Sequence, residues 1–335
     1  MKTRSILLIL LAAFEISTMA CTTFVLKTGQ DLVFGRNLDW VSSNGLIVVN
    51  KRGVQKKAFT FYPDQPMTWT SKYGSVTFNQ FGKEFPFGGM NEKGLVVEIM
   101  LAQAKYPAPD TRPAVNESQW IQYQLDNYST IEEVIASDKL VRISKVAQNL
   151  HFLVCDADGN VAAMEFKNGK MAVYKGDQLP YAVLENDPYS VSLKKYQKNT
   201  DCRFTKAVNM IHDYKAQSTV PAVDYSFSIL NKVRLSGSWS IVYDIKNRRI
   251  SFKTDINRDI QVIDMLKFDY ACGSGEKAYN LLYPGKGNIT DSFKEFNHPM
   301  NTEVMKDAFE TNGMRLPQEI LDRFYEYHKS CTCRE

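Results

Sequence analysis

Cys21 stands directly after Thr18-Met19-Ala20, a run with small residues where a signal peptidase reads. A cut at that point gives Cys21 a free α-amino group beside its thiol. The amine has a reference pKa of about 7.7–8.0, so much of it is neutral near pH 7.5. The thiol, with a reference pKa of about 8.5, must become a thiolate to attack. One residue then supplies nucleophile and base together, and no histidine is required. The chain has four histidines: His151, His212, His298 and His328. His151 alternates into an apolar strand and reads as packed. The other three lie in helical or loop contexts with no cysteine motif around them, which leaves a cysteine–histidine pair poorly supported. A cysteine after a leader is also where a lipid anchor is attached, and lipidation would occupy the sulfur. Such leaders carry Leu or a similar residue three positions before the cysteine, where this chain has Thr18.

Charged partners follow in Phe34-Gly35-Arg36-Asn37-Leu38-Asp39-Trp40. An Arg beside a thiolate favours its charged form, and an Asp beside an ammonium orients it. The plainer reading of Arg36 and Asp39 is an ion pair at a strand end. Asn186, in Leu184-Glu185-Asn186-Asp187-Pro188, reads by itself as a turn residue.

These residues need elements to hold them. Residues 1–20 read as a removable leader: Lys2 and Arg4, then an apolar run from Ile6 to Phe14. That run is shorter than the roughly 20 apolar residues a membrane span takes. Its removal takes away Lys2, Arg4 and Glu15, and the net charge falls from +4 to +3. Such a balance gives no reason to expect nucleic acid as a partner. The remaining chain, residues 21–335, reads as one domain located outside the cytoplasm, secreted or periplasmic. The six cysteines show no small-scaffold framework and no zinc spacing, and the pairing of Cys331 and Cys333 is left open.

Strands are expected at Thr22–Lys27 and Leu32–Arg36 around a turn at Thr28–Asp31, then at Leu46–Asn50 and Met67–Asn79. Gly88 to Gly94 reads as a turn feeding a buried strand, Leu95–Leu101. Helices are expected at Ser118–Asp126 and Thr130–Ser137, the second capped by Ser129 with Glu132 completing a capping box. A hairpin, Leu150–Cys155 with Val161–Phe166, and a strand at Met171–Tyr174 come next. Helices at Arg203–Tyr214 and Ser226–Val233 precede a hairpin of Ser238–Asp244 and Arg249–Thr254. The last 60 residues are mixed and end in an amphipathic stretch, Pro317–Tyr327. Strands and helices come in groups, which favours layers of antiparallel sheet with helices outside over a doubly wound parallel sheet.

Cys-Thr at a mature N-terminus, followed by Phe-Gly-Arg-Asn-Leu-Asp-Trp, resembles the choloylglycine hydrolase and penicillin V acylase family of N-terminal-nucleophile hydrolases. Gly89-Met90-Asn91-Glu92-Lys93-Gly94-Leu95, Leu184 to Pro188, Asp201-Cys202-Arg203-Phe204 and Trp239 to Asp244 extend the likeness in order. The resemblance implies an α+β fold, the four-layer αββα sandwich. It implies hydrolysis of a linear amide between a bulky apolar acyl group and a small amine, of the conjugated bile salt or penicillin V type. Cys21 would be the nucleophile, attacking through a thioester, with its amine as base. Asp39 would hold the amine, Arg36 would stabilise the thiolate, and Arg203 would complete the charged cluster. Asn186 would donate to the oxyanion. A second donor would be a backbone N–H at Leu101, where many members carry Asn or Tyr. Glu185 replaces the usual Thr. No cofactor or metal is implied, and a homo-oligomer, often a tetramer in this family, is expected. Trp40 and Phe24 are candidate walls of the acyl pocket. The rival reading is a lipid-anchored, non-catalytic binding protein of the same fold with Cys21 modified.

Overall fold

The computed structural model describes residues 20–217, 219–235 and 239–334. The expected leader up to residue 19 and the expected hairpin start at Ser238 lie outside the described residues.

Strand β1 (Thr22–Thr28) is rich in β-branched residues. It turns through Gly29-Gln30 into β2 (Asp31–Leu38), with Thr28 paired to Asp31. These two strands lie inside a seven-stranded sheet. Its order is Val183–Glu185, β1, β2, Trp239–Asp244, Arg249–Thr254, Gln261–Asp264, Gly287–Asn288. A second sheet of nine strands runs Lys170–Lys175, Val161–Lys167, Leu150–Cys155, Val96–Leu101, Gly88–Asn91, Ser75–Asn79, Leu46–Asn50, Lys277–Asn280, Lys294–Glu295.

The sheets pack face to face through large side chains. Phe78 of the second sheet meets Trp239, Tyr243 and Phe252 of the first at 5.6–6.4 Å between ring centroids. Helices close both outer faces. On the second sheet lies α1 (Glu117–Asn127), followed by α2 (Ile131–Ala136). After α3 (Tyr189–Gln197), helices α4 (Arg203–Gln217) and α5 (Ala222–Val233) cover the first sheet. The fold is thus α+β, a four-layer αββα sandwich, as the resemblance implied and as the grouping of strands and helices favoured.

Several local expectations shift. The cap of α2 is Thr130, with Glu133 completing the capping box, because the helix starts one residue later than the pattern suggested. Gly88–Asn91 is a strand, and the turn after it is built by Asn91. Its Oδ1 accepts from the Lys93 and Leu95 N–H groups, and its Nδ2 donates to the Leu125 and Tyr128 carbonyls. Met67–Asn79 splits into Thr68–Thr70 and Ser75–Asn79. The break comes where Lys72 and Tyr73 N–H groups turn away to the Asp126 carbonyl. The C-terminal region holds α6 (His298–Thr311), capped by Asn297, and α7 (Gln318–Glu326). Cys333 is bridged to Cys272, and Cys331 remains a thiol.

Candidate active site

Sheet register assembles one end of the sandwich. Thr22 pairs with Glu185 on one side and with Asn37 on the other. One step further along the same register, Cys21 lies across from Asn186 and Leu38, with Asp39 next. Three segments far apart in sequence therefore converge without any loop having to reach.

Arg203, the first residue of α4, ties them. Its Nη1 donates to the Cys21 carbonyl and, at 2.8 Å, to Thr22 Oγ1. Its Nη2 donates to Asn186 Oδ1 at 3.0 Å and stands 3.6 Å from Glu185 Oε2. Asn186 Nδ2 donates across to the Leu101 carbonyl of the second sheet at 3.0 Å. The Asn186 amide is thus held at both ends, with one of its two N–H groups engaged at Leu101.

Alternation sends Arg36 to the inter-sheet face, where it is fully buried. It meets Glu98 of the second sheet, Nε to Oε2 at 2.6 Å, and its Nη2 donates to the Ile99 carbonyl. Tyr243 donates to the other Glu98 oxygen at 2.5 Å. Arg36 Nη1 is buried with no hydrogen-bond partner among the described residues, and the Arg36 charge acts on Cys21. Burial pushes the Glu98 carboxyl up to about 7 despite the opposing pull of Arg36 and Tyr243. Gly88 makes room for this pair: a Cβ there would lie 2.0 Å from Glu98 Oε2.

Burial also raises the Cys21 thiol above its ordinary range. Arg36 and Arg203 pull the other way, as does a hydrogen bond with the Asp39 backbone, while the Asp39 charge adds to the rise. Cys21 is 2% exposed, and its nitrogen is in a peptide bond to Ala20 in this chain. The Asp39 side chain is fully buried and pushed up to about 7 by that burial, against the charges of Arg203, Arg234 and Arg36. Neither of its oxygens has a hydrogen bond of normal geometry among the described residues. The Leu235 backbone N–H faces it closely enough to favour the charged form.

The five residues singled out in the sequence, Cys21, Arg36, Asp39, Asn186 and Arg203, thus meet at one end of the sandwich. Phe24 does not join them. It is fully buried against Gly35, whose added Cβ would lie 2.3 Å from the ring, on the face of β1 opposite Arg36. Strand alternation separates the two, so Phe24 is a core residue and not a pocket wall. Trp40 packs edge-on against Phe87 and its Nε1 donates to Asn312. Sequence reasoning missed Glu98 and Tyr243. The available signal was a lone acid inside Val96-Val97-Glu98-Ile99-Met100-Leu101, since a fully buried carboxylate needs a partner. A cavity of about 610 Å³ lies toward the far end of β1, lined by Val25, Lys27, Val183 and Val208, and none of the five residues borders it.

The four-layer αββα sandwich is the fold of the N-terminal-nucleophile hydrolases. Within that class, the chain belongs to the linear amide C–N hydrolases of the choloylglycine hydrolase family, whose model matches residues 21–220. A penicillin V acylase of Pectobacterium atrosepticum is 23% identical over 81% of this chain and 88% of its own. The solved penicillin V acylase of Agrobacterium tumefaciens is 25% identical, with a TM-score of 0.73 over 83% of this chain and 98% of its own. A conjugated bile acid hydrolase of Clostridium perfringens shares the fold, at 18% identity and a TM-score of 0.66 over 80% of this chain and 98% of its own. Amide hydrolysis is therefore the activity of this chain's family.

Proposed function

We propose that Cys21 becomes the first residue of an exported enzyme once residues 1–20 are removed, and that its thiolate attacks the carbonyl of a linear amide. The single observation that carries this reading is Asp39. Among the described residues this buried carboxylate beside Cys21 has no hydrogen-bond partner of normal geometry, and the Cys21 nitrogen is still acylated by Ala20. Cleavage supplies an ammonium, the partner that Asp39 lacks, and a positive charge that lowers the thiol's pKa.

In acylation the Cys21 sulfur bonds to the carbonyl carbon. The tetrahedral oxyanion is met by the Asn186 amide and a backbone N–H near Leu101. As the C–N bond breaks, the α-ammonium gives its proton to the leaving amine. Water, with the α-amine as base, then attacks the thioester and releases the acid. The substrate class is a bulky apolar acyl group on a small polar amine. Phenoxymethylpenicillin is the first choice, because relatives matched over most of their length carry the name penicillin V acylase. A homo-oligomer is part of this reading.

The test uses protein exported by its own leader. The mass of its N-terminal peptide should equal a chain starting at unmodified Cys21, and this protein should hydrolyse phenoxymethylpenicillin while Cys21→Ala does not. A diacylglyceryl-modified cysteine would instead support the anchored, non-catalytic reading. Turnover retained in Cys21→Ala would require another nucleophile.

A further inference from the structure

Helix α3 starts three residues after Asn186, and it lacks a cap of its own. The residue before it is Pro188, which has no side chain able to accept a hydrogen bond from the first turn. The first N–H groups of a helix need acceptors from somewhere. The acceptor here comes from the other sheet. The Tyr189 N–H donates to Glu165 Oε1 at 2.5 Å, and Glu165 sits on the strand Val161–Lys167.

Glu165 is itself held tightly. Its side chain is 5% exposed, with His151 Nδ1 at 3.5 Å from Oε1 and Lys167 Nζ at 2.7 Å from Oε2. Burial alone would raise its pKa, but His151, Lys167 and the Tyr189 N–H bring it down to about 2. The carboxylate is therefore charged throughout any working range. Tyr189 is fastened a second time: its hydroxyl donates to the Tyr181 carbonyl at 3.0 Å and accepts from the Tyr181 N–H. Between these fastenings run the strand Val183–Glu185 and Asn186. The link from Asn186 to the pinned Tyr189 is Asp187-Pro188, with no glycine, and Pro188 fixes its own φ.

We infer that Glu165 is a positioning residue for Asn186: by capping α3 from across the sandwich it fixes the turn that aims the Asn186 amide at the reacting carbonyl. This rests on the mechanism proposed above, in which Asn186 meets the oxyanion. Glu165 touches no reacting atom, and its effect passes through the Tyr189 backbone.

Two readouts test it, one of them independent of activity. In hydrogen exchange, Glu165→Ala should release protection in the peptide spanning Tyr181 to Tyr189 and leave Leu46–Asn50 and Arg249–Thr254 unchanged. Unaltered exchange at Tyr189 overturns the clamp whatever the enzyme acts on. In turnover of phenoxymethylpenicillin, counted per titrated Cys21, Glu165→Ala should lower kcat by about tenfold or more with little change in KM. Glu165→Gln keeps an acceptor for the Tyr189 N–H and should retain most of kcat. In an Asn186→Ala background, Glu165→Ala should add almost nothing, because the two act as a unit. Equal losses from Glu165→Ala in both backgrounds overturn the inference. So does a Gln variant that keeps Tyr189 protected and still loses kcat. A wild type that hydrolyses no amide sinks the functional reading instead, and the exchange experiment then decides the clamp alone.

Discussion

Gly88→Ala isolates the buried Arg36–Glu98 pair through sterics alone. Gly88 is strand residue, and an alanine there needs no unusual backbone. Its Cβ, however, would lie 2.0 Å from Glu98 Oε2 and 2.1 Å from Cδ, closer than any real contact allows. Glu98 is fully buried and cannot swing into solvent, so its carboxylate must leave Arg36. Removing one partner of a buried pair costs about 3–5 kcal/mol, because the other charge stays behind. For a chain of this length that corresponds to a fall in Tm of about 4–7 °C. Under the proposed mechanism turnover per folded molecule should drop as well, because the Arg36 charge favours the Cys21 thiolate. Two glycines serve as references. Gly35→Ala strikes the Phe24 ring at 2.3 Å on the other face of β2, so it should destabilise yet leave the folded fraction fully active. Gly273→Ala meets nothing within 4 Å and should be neutral. Pairing Gly88→Ala with Glu98→Asp, which withdraws the carboxylate by one methylene, should recover more than about 1 kcal/mol relative to additivity. Melting curves and active-site-titrated kinetics at pH 8 read all of these. A Gly88→Ala protein as stable and as active as the parent would refute the reasoning. So would a Gly35→Ala protein with the same loss of turnover per folded molecule.

Two further outcomes are expected. In chain left uncut before Cys21, Asp39 and Glu98 hold their protons up to about pH 7, against ordinary values of 3.8 and 4.5. Between those limits the unfolded chain binds fewer protons, so these groups make stability fall as pH rises from about 4 to about 7. Asp39→Asn should flatten that fall in a urea titration series, and a difference curve independent of pH would show that Asp39 is not perturbed. Separately, the Cys272–Cys333 bridge closes a separation of 61 residues. Cys272→Ser should cost about 2–4 kcal/mol, whereas Cys331→Ser should leave the bridge and its contribution in place. Equal destabilisation by both variants would mean that the pairing is wrong.

Much of the site could be read early because it sits close to one end of the sequence and depends on residue type. Cys21, Arg36 and Asp39 lie on or directly beside one hairpin, and each has a distinctive charge or thiol. What stayed hidden, or was reached only through the resemblance, depends on register between segments remote in sequence. Nothing local to Asn186 tells that Thr22 will pair with Glu185, the pairing that turns an ordinary turn asparagine, two residues before Pro188, into a neighbour of Cys21. Phe24 was misjudged for the same reason: nearness in sequence to Cys21 says nothing about faces, and alternation turns it away from Arg36. Glu98 announced itself only as an acid in an apolar strand, with its partners on the other sheet. The pairing of Cys272 with Cys333 was equally nonlocal. The α2 cap missed by a single residue, because Ser129-Thr130 and Glu132-Glu133 offer two equivalent capping boxes and only packing chooses between them.

That division has a physical cause with consequences for function. Residue types determine what chemistry is available, but the pKa values that make it work come from burial and from charges delivered by other strands. Cys21, Asp39 and Glu98 are each shifted chiefly by burial, and each is opposed by Arg36. A single guanidinium, aimed by strand alternation and steadied from the second sheet, therefore acts on all three ionisable groups at once. Shifting β2 by one residue against β1 would leave every side chain in the sequence unchanged and turn Arg36 to the helix-covered face. Cys21 would still be present, but buried without the cation that favours its charged form. The site's chemistry therefore belongs to the sheet register as much as to the cysteine.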